Sequence, residues 1–361
     1  MRIQTPEYLE TEYFYQFTLP QLIEFNTFSS DSVLILDLCN TQYIDNNVLC
    51  DILSYISRLK YSKYCDIYFL FGTSRRLPAY LSANGFLLHA NKYNIVTDLV
   101  SVDDTTSKTS NIQNIGSIAI PPVNDIDDYQ EYITRKITFR NSSLPLQQDI
   151  FSLFSVKKRG LSMIGVDDPF SILDIYLEIM ENSYMYSNTT ANNAHAYYTF
   201  QFYEKTGLTF CNSDYGPGFY YTMKRHLDAK KISLKLMDEY TFLSYSSDDK
   251  KKSIVGILEA ICRWFPKSDL GFPYLFNKLI INRNGMLSIH SENTMLNINK
   301  TFLYEYFEVE NDKVVDIRAD KLKKIIFDYD TRQKLHKTGI LNEYNYTFSG
   351  VHMTTTIRNP R

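Results

Sequence analysis

A chain of 361 residues exceeds what one hydrophobic core usually organises, so two compact units are expected. Its apolar share of 44% is ordinary, and no uninterrupted run of about 18 apolar residues occurs, which excludes a predicted membrane-spanning helix. The net charge of −3 gives no clear nucleic-acid signature, because such binders carry a basic excess. The opening residues, MRIQTPEYLETEYFYQF, carry acids and lack a continuous apolar stretch, so no cleaved secretory signal is expected. Five cysteines without a C-x-x-C pair fit a reducing compartment better than a disulfide framework. The expected location is the cytoplasm.

Along the chain, Ser32 to Asp37 (SVLILD) reads as a strand, followed by the turn-like stretch CNTQYIDNN. In VLCDILSYISRL, Val48, Leu49, Ile52, Leu53, Ile56 and Leu59 recur at steps of three and four, predicting an amphipathic helix. Asp51, Ser54, Ser57 and Arg58 lie opposite that stripe. A second strand over Asp66 to Phe71 and a helix containing Leu77, Tyr80 and Leu81, stopped by Asn84-Gly85, complete a β-α-β-α unit.

From about 28 to 95 this unit resembles a STAS domain, on LILDL, Tyr43-Ile44-Asp45 before the helix, IYFLFG and LSANGF. Phosphorylatable members of that family carry Ser or Thr after the equivalent of Asp45; here Asn46 and Asn47 stand there. The resemblance therefore implies a docking surface rather than a phospho-switch. Residues 101–117 are polar and aperiodic and read as a linker, and the stretch up to about Val166 reads as a helical connector. The expected division is 1–100, STAS-like; 101–160, linker and connector; and 161–361, a second domain.

Asp167-Asp168-Pro169 signals a helix start, and the helix runs through SILDIYLEIMENSYMYS. Ile172, Ile175 or Tyr176, Ile179 and Ser183 mark one face, while Asp174, Glu178 and Asn182 share another at spacings of four. A carboxylate and an amide oxygen one turn apart suit a hydrated magnesium ion and a hydroxyl awaiting deprotonation, and also an ordinary solvated face. Further on, the run Leu208 to Cys211 ends in Asp214-Tyr215-Gly216-Pro217-Gly218. Glycines two apart allow close ligand approach, and an aspartate at a strand end can accept a hydrogen bond from an adenine amino group; a plain turn has the same pattern.

Taken in order, these motifs resemble the GHKL (Bergerat-fold, histidine kinase-like) ATPase superfamily. Glu178 to Ser187 is similar to its N-box, which implies that Asn182 binds magnesium and Glu178 polarises the attacking group. Asp214, Gly216 and Gly218 resemble the first glycine box, with Asp214 reading adenine. Ser268 to Pro273, with Gly271, stands where the second glycine box would cover the phosphates, and NGMLSIHSEN and His352 to Ile357 resemble later strands. Only Gly271 is kept where relatives have more glycines, and Val351 stands where they often have threonine. The resemblance implies an α/β protein, with a Bergerat-type sandwich whose helices lie on one face of a mixed sheet, and ATP and Mg2+ as cofactors. It implies an ATPase switch acting on a protein partner, with homodimerisation among the options. The alternatives are a serine/threonine kinase similar to anti-sigma-factor kinases and a non-hydrolysing nucleotide-gated scaffold. A histidine kinase is disfavoured, since 100–165 contains no histidine. Residues 219–267 are expected to form a charged lid, with Lys224, Arg225, Lys230 and Lys231 in its first part. Residues 300–346 are an insertion the minimal fold does not need.

Overall fold

The computed structural model describes every residue except 29–31, 63–64, 74, 99–113, 120–137, 187–194, 204–206, 215, 229–231, 246–250, 264, 266–270 and 359–361. Its first part is built on short strands: β1 (Arg2–Gln4), β2 (Tyr8–Leu9), β3 (Val33–Asp37), β4 (Tyr43–Ile44), β5 (Asp66–Leu70) and β6 (Val96–Thr97). Four of them pair in parallel in the order β1-β3-β5-β6, and β2 pairs with β4. The connections carry helices α1 (Leu19–Phe25), α2 (Asn46–Ser62), α3 (Arg76–Ala83) and α4 (Phe86–Asn91). Parallel strands require such crossovers, and the apolar stripe of α2, from Val48 to Leu59, is buried as its period predicts. The polar stripe is buried too: Asp51, Ser54 and Ser57 are only 2%, 1% and 1% exposed.

The second part is an antiparallel sheet of five strands: β7 (Asn114–Ala119), β8 (His195–Tyr203), β9 (Gly207–Ser213), β10 (Met286–Ile298) and β13 (Leu341–Ile357). The order is β10-β13-β9-β8-β7, every pairing is antiparallel, and the sheet expected as mixed is therefore not mixed. Strand β7 falls in the end of the stretch read as a linker; Gly116 is needed there because an added Cβ would lie 2.0 Å from the Tyr198 ring. Residues 101–113 of that stretch lie outside the described residues. Helix α5 (Leu144–Met163) supplies the helical part of the connector.

One face of this sheet carries α6 (Pro169–Tyr186), α7 (Phe219–Asp228) and α8 (Lys251–Cys262), joined in one apolar core with the helical segment Phe272–Leu275 and its π-helical continuation Phe276–Ile281. The other face receives α2, which packs across β8 and β9. Segment 219–267, expected as a charged lid, is largely helical in its described residues, and its helices are packed, with Lys252 to Cys262 buried throughout. Lys230, Lys231 and residues 248–250 lie outside the described residues. The insertion after β10 consists of α9 (Lys300–Tyr306), the hairpin β11 (Phe307–Glu310) with β12 (Lys313–Ile317), α10 (Ala319–Phe327) and α11 (Tyr329–Lys337). It returns the chain to β13, which begins well before the expected His352.

Candidate functional site

Helix α6 begins at an aspartate cap: Asp168 accepts the N–H groups of Phe170 (3.0 Å) and Ser171 (3.2 Å), two of the donors a helix start leaves without partners. Tyr176 then stacks on Phe210 of β9 with ring centroids 4.0 Å apart, which seats the helix on the sheet. That seating brings Glu178 and Asn182 alongside the end of β9, where Asp214 stands.

Asp214 is 2% exposed, and its carboxylate is held on both oxygens. Oδ1 accepts the N–H of Gly216 (2.8 Å) and of Val351 (3.1 Å), while Oδ2 accepts the Ser183 hydroxyl (2.8 Å). Ser183 is fixed in turn by the Asn212 amide, which donates to its Oγ at 2.6 Å. The main chain is tied as well: Asp214 N–H donates to Val351 C=O (3.1 Å), and Ser54 of α2 donates to the Asp214 carbonyl (3.1 Å). Among these donors only Ser183 reaches Oδ2, so a carboxylate of fixed direction presents acceptor capacity toward the cavity.

Gly218 has φ +86, and a Cβ there would meet Ser291 Oγ at 2.9 Å and Glu292 Cγ at 3.2 Å. The glycine thus serves both backbone conformation and close packing against a bulge in β10. At that bulge Glu292 has φ 56, accepts a hydrogen bond from Ser253, and pairs with Lys252 at 3.2 Å inside the core. Burial pushes the Glu292 carboxyl up, opposed by Lys252 and Ser253.

Asn182, Asp214, Gly216, Gly218, Thr222, Met223, Arg263, Phe272, Val351 and Met353 line one cavity. Glu178 is not part of that lining; one turn before Asn182 on α6, its Oε1 accepts the N–H of Gly271, the residue before the lining Phe272, at 2.9 Å. Asn182 donates its Nδ2 to the Glu178 carbonyl at 3.0 Å, which directs Oδ1 away from that bond. Beside them, burial raises the Tyr274 phenol to about 12, with Asp174 and Glu178 adding to the shift. The structure therefore brings Asn182, Asp214, Gly216 and Gly218 to one cavity and joins Glu178 to Gly271 next to its lining residues Asn182 and Phe272; Ser268, Asp269 and Leu270 lie outside the described residues. Sequence reasoning missed Ser183 as the aspartate's partner and Arg263 as the cation of the wall. Ser183 directly follows Asn182, but its role appears only once β9 is packed beside α6; Arg263 follows an apolar helix and has no motif.

The enclosed volume is about 60 Å³, far below the ~300–1,000 Å³ typical of ligand sites, so a nucleotide-sized ligand requires a wall to move. The wall at Gly271–Phe272 is joined to α6 by the Glu178 hydrogen bond. A larger cleft of about 890 Å³ lies between the first part of the chain and the opposite face of the sheet, lined by residues such as Glu12, Asp45, Asn297 and Thr354. Its described lining contains no lysine or arginine, which makes it a poor receptor for a polyanion.

Among the described residues no cluster of three His, Cys, Asp or Glu side chains could hold a metal ion unaided. A magnesium ion that keeps its waters and is held mainly by substrate phosphates needs no such cage, so one amide oxygen at Asn182 fits it. No described helix is long and apolar enough to cross a membrane. No family model, curated protein or solved structure matches the chain.

Proposed function

We propose that this cavity binds ATP with Mg2+, as in the GHKL superfamily, and that the chain is an ATP-dependent conformational switch acting on a protein partner. The observation that carries the reading is the Asp214 carboxylate: buried, aimed by Gly216, Val351 and Ser183, and set in the same cavity as Asn182. A fixed, desolvated acceptor at the base of a largely apolar pocket suits an adenine amino group. It opposes guanine, which presents a carbonyl oxygen at the corresponding position. The packing of α6, α7 and α8 in one apolar core on one face of the sheet supports the Bergerat-type assignment, while the wholly antiparallel pairing departs from the mixed sheet of that family; the parallel sheet of the first part supports the STAS-like one.

Bound ATP and Mg2+ would supply the phosphoanhydride bond and the divalent charge. The chain's own groups divide the remaining work. Val351, Met223 and Met353 would give the base an apolar wall, Arg263 would offer positive charge, and Asn182 Oδ1 would be the oxygen ligand for Mg2+. Glu178 Oε1 is the proton acceptor for an attacking water once it leaves the Gly271 N–H. Pocket opening and release of the base are therefore one movement, and this links the size of the closed cavity to switching. At the start of α2, Asn47 and Asp45 bond to Thr11, which supports docking rather than phosphorylation there.

The test is competition for a fluorescent adenine nucleotide on the full chain, followed by phosphate release. Displacement by ATP and not by GTP, with slow magnesium-dependent release, supports the proposal. Absence of saturable binding, or equal displacement by GTP, overturns it.

A further inference from the structure

The polar stripe of α2 reaches the back of the nucleotide cavity through the sheet. Ser54, 1% exposed, donates its hydroxyl to the carbonyl of Asp214 at 3.1 Å. One turn earlier, Asp51 places Oδ1 2.8 Å from Nδ1 of His352, and its other oxygen accepts the Tyr15 phenol. The same His352 nitrogen lies 2.5 Å from Ser213 Oγ, and Nε2 lies 3.3 Å from the Ser349 carbonyl. Ser213 and His352 are register partners across β9 and β13, and each immediately neighbours a residue of the cavity, Asp214 and Val351. These neighbours are the two whose main chains exchange a hydrogen bond and whose N–H and carboxylate fix the proposed adenine acceptor.

We infer that Ser54 and Asp51 are positioning residues of the nucleotide site, supplied by the STAS-like part of the chain, and that they couple nucleotide occupancy to the seating of α2. The inference rests on the ATP reading above. Its physical basis is that Asp214 takes its direction from β13 on one side and from α2 on the other. Removing the α2 hydroxyl leaves a buried carbonyl without that donor and loosens the acceptor the base must meet. Because coupling is reciprocal, a ligand that tightens Asp214 must also tighten α2.

The full-length chain is compared with Ser54→Ala, Asp51→Asn and Tyr93→Phe, reading ATP affinity by calorimetry and melting temperature in parallel. Tyr93 bridges Ser57 and Tyr197 at the same junction without touching Asp214 or His352, so its variant reports loss of docking alone. Ser54→Ala and Asp51→Asn are expected to weaken ATP about five- to tenfold, the weight of about one net hydrogen bond, and Tyr93→Phe to leave affinity within about twofold. Hydrogen exchange on the unmodified chain gives a reading that needs no variant: amides of 46–58 are expected to slow on ATP saturation. Wild-type affinity in folded Ser54→Ala and Asp51→Asn overturns the inference and leaves the ATP reading intact. Losses that merely follow melting temperature in all three variants overturn it also, as does unchanged exchange in α2. If the unmodified chain binds no ATP, the nucleotide reading and this inference fall together.

Discussion

Replacing Asp214 by asparagine changes one atom of the site and separates recognition from folding. Oδ1 is held by two backbone N–H groups and must remain oxygen, so the new amide nitrogen takes the position of Oδ2. There it faces Ser183 Oγ, which already accepts the Asn212 amide and has a second lone pair for the new donor once its own proton turns away. The fold thus keeps its bonds, and the melting free energy is expected to change by no more than about 1 kcal/mol. For the ligand the change is severe, because the adenine amino group now meets a donor instead of a carboxylate. Losing a charge-assisted bond and opposing two donors amounts to ~2–4 kcal/mol, or about 30- to 900-fold in Kd. Fluorescence anisotropy with a labelled adenine nucleotide reads the affinity, and thermal denaturation checks the fold. A folded Asp214→Asn chain that binds within about threefold of the wild type would refute the assignment of Asp214 as the base-reading group.

Glu178→Ala is expected to abolish magnesium-dependent phosphate release while ATP binding persists, because the base is lost but the adenine acceptor is untouched; continued release at the wild-type rate counts against Glu178 as proton acceptor. Lys252→Met leaves Glu292 buried without its cation and is expected to cost ~3–5 kcal/mol in denaturant unfolding. With the Glu292 carboxyl raised further, the folded state resists ionisation, so the cost should be larger at pH 8 than at pH 5; the opposite trend contradicts the pairing. Burial, helped by Lys92 and opposed by the Ile115 carbonyl, holds His89 neutral with its pKa at about 4. A depressed histidine contributes stability that is complete above the unfolded value and is lost as pH falls from about 6.5 toward 4, up to roughly 3 kcal/mol here. The melting temperature of the wild type should therefore fall more steeply than that of His89→Gln between about pH 6.5 and 4, and parallel acid dependence of the two would contradict the buried neutral histidine. Gly218→Ala forces a side chain into a left-handed backbone against Ser291 and Glu292 and should lower both melting temperature and ATP affinity.

What was legible in the sequence was local. Glu178 and Asn182 are one helical turn apart by arithmetic, Asp168 announces the helix start, and the apolar stripe of α2 follows a period of 3.6. What was hidden depended on partners far along the chain. Asp51, Ser54 and Ser57 looked like a face turned from the core because periodicity identifies the stripe packed within the first part, not the second surface it later meets. Strand β7, NIGSIA, reads as the end of a linker because its two isoleucines, Ile115 and Ile118, are three apart and do not alternate, the residues around them are small or polar, and its pairing comes from the distant β8. Lys252 stood among charges that suggested a solvated lid, yet its carboxylate is 40 residues on, at a bulge where Glu292 adopts a backbone conformation rare outside glycine.

The central claim is tested most directly by isothermal titration of the unmodified full-length chain with ATP, in Mg2+ and again in EDTA. The account predicts one saturable site per chain, weakened when the metal is removed. No heat of binding at millimolar ATP, in either buffer, would contradict it.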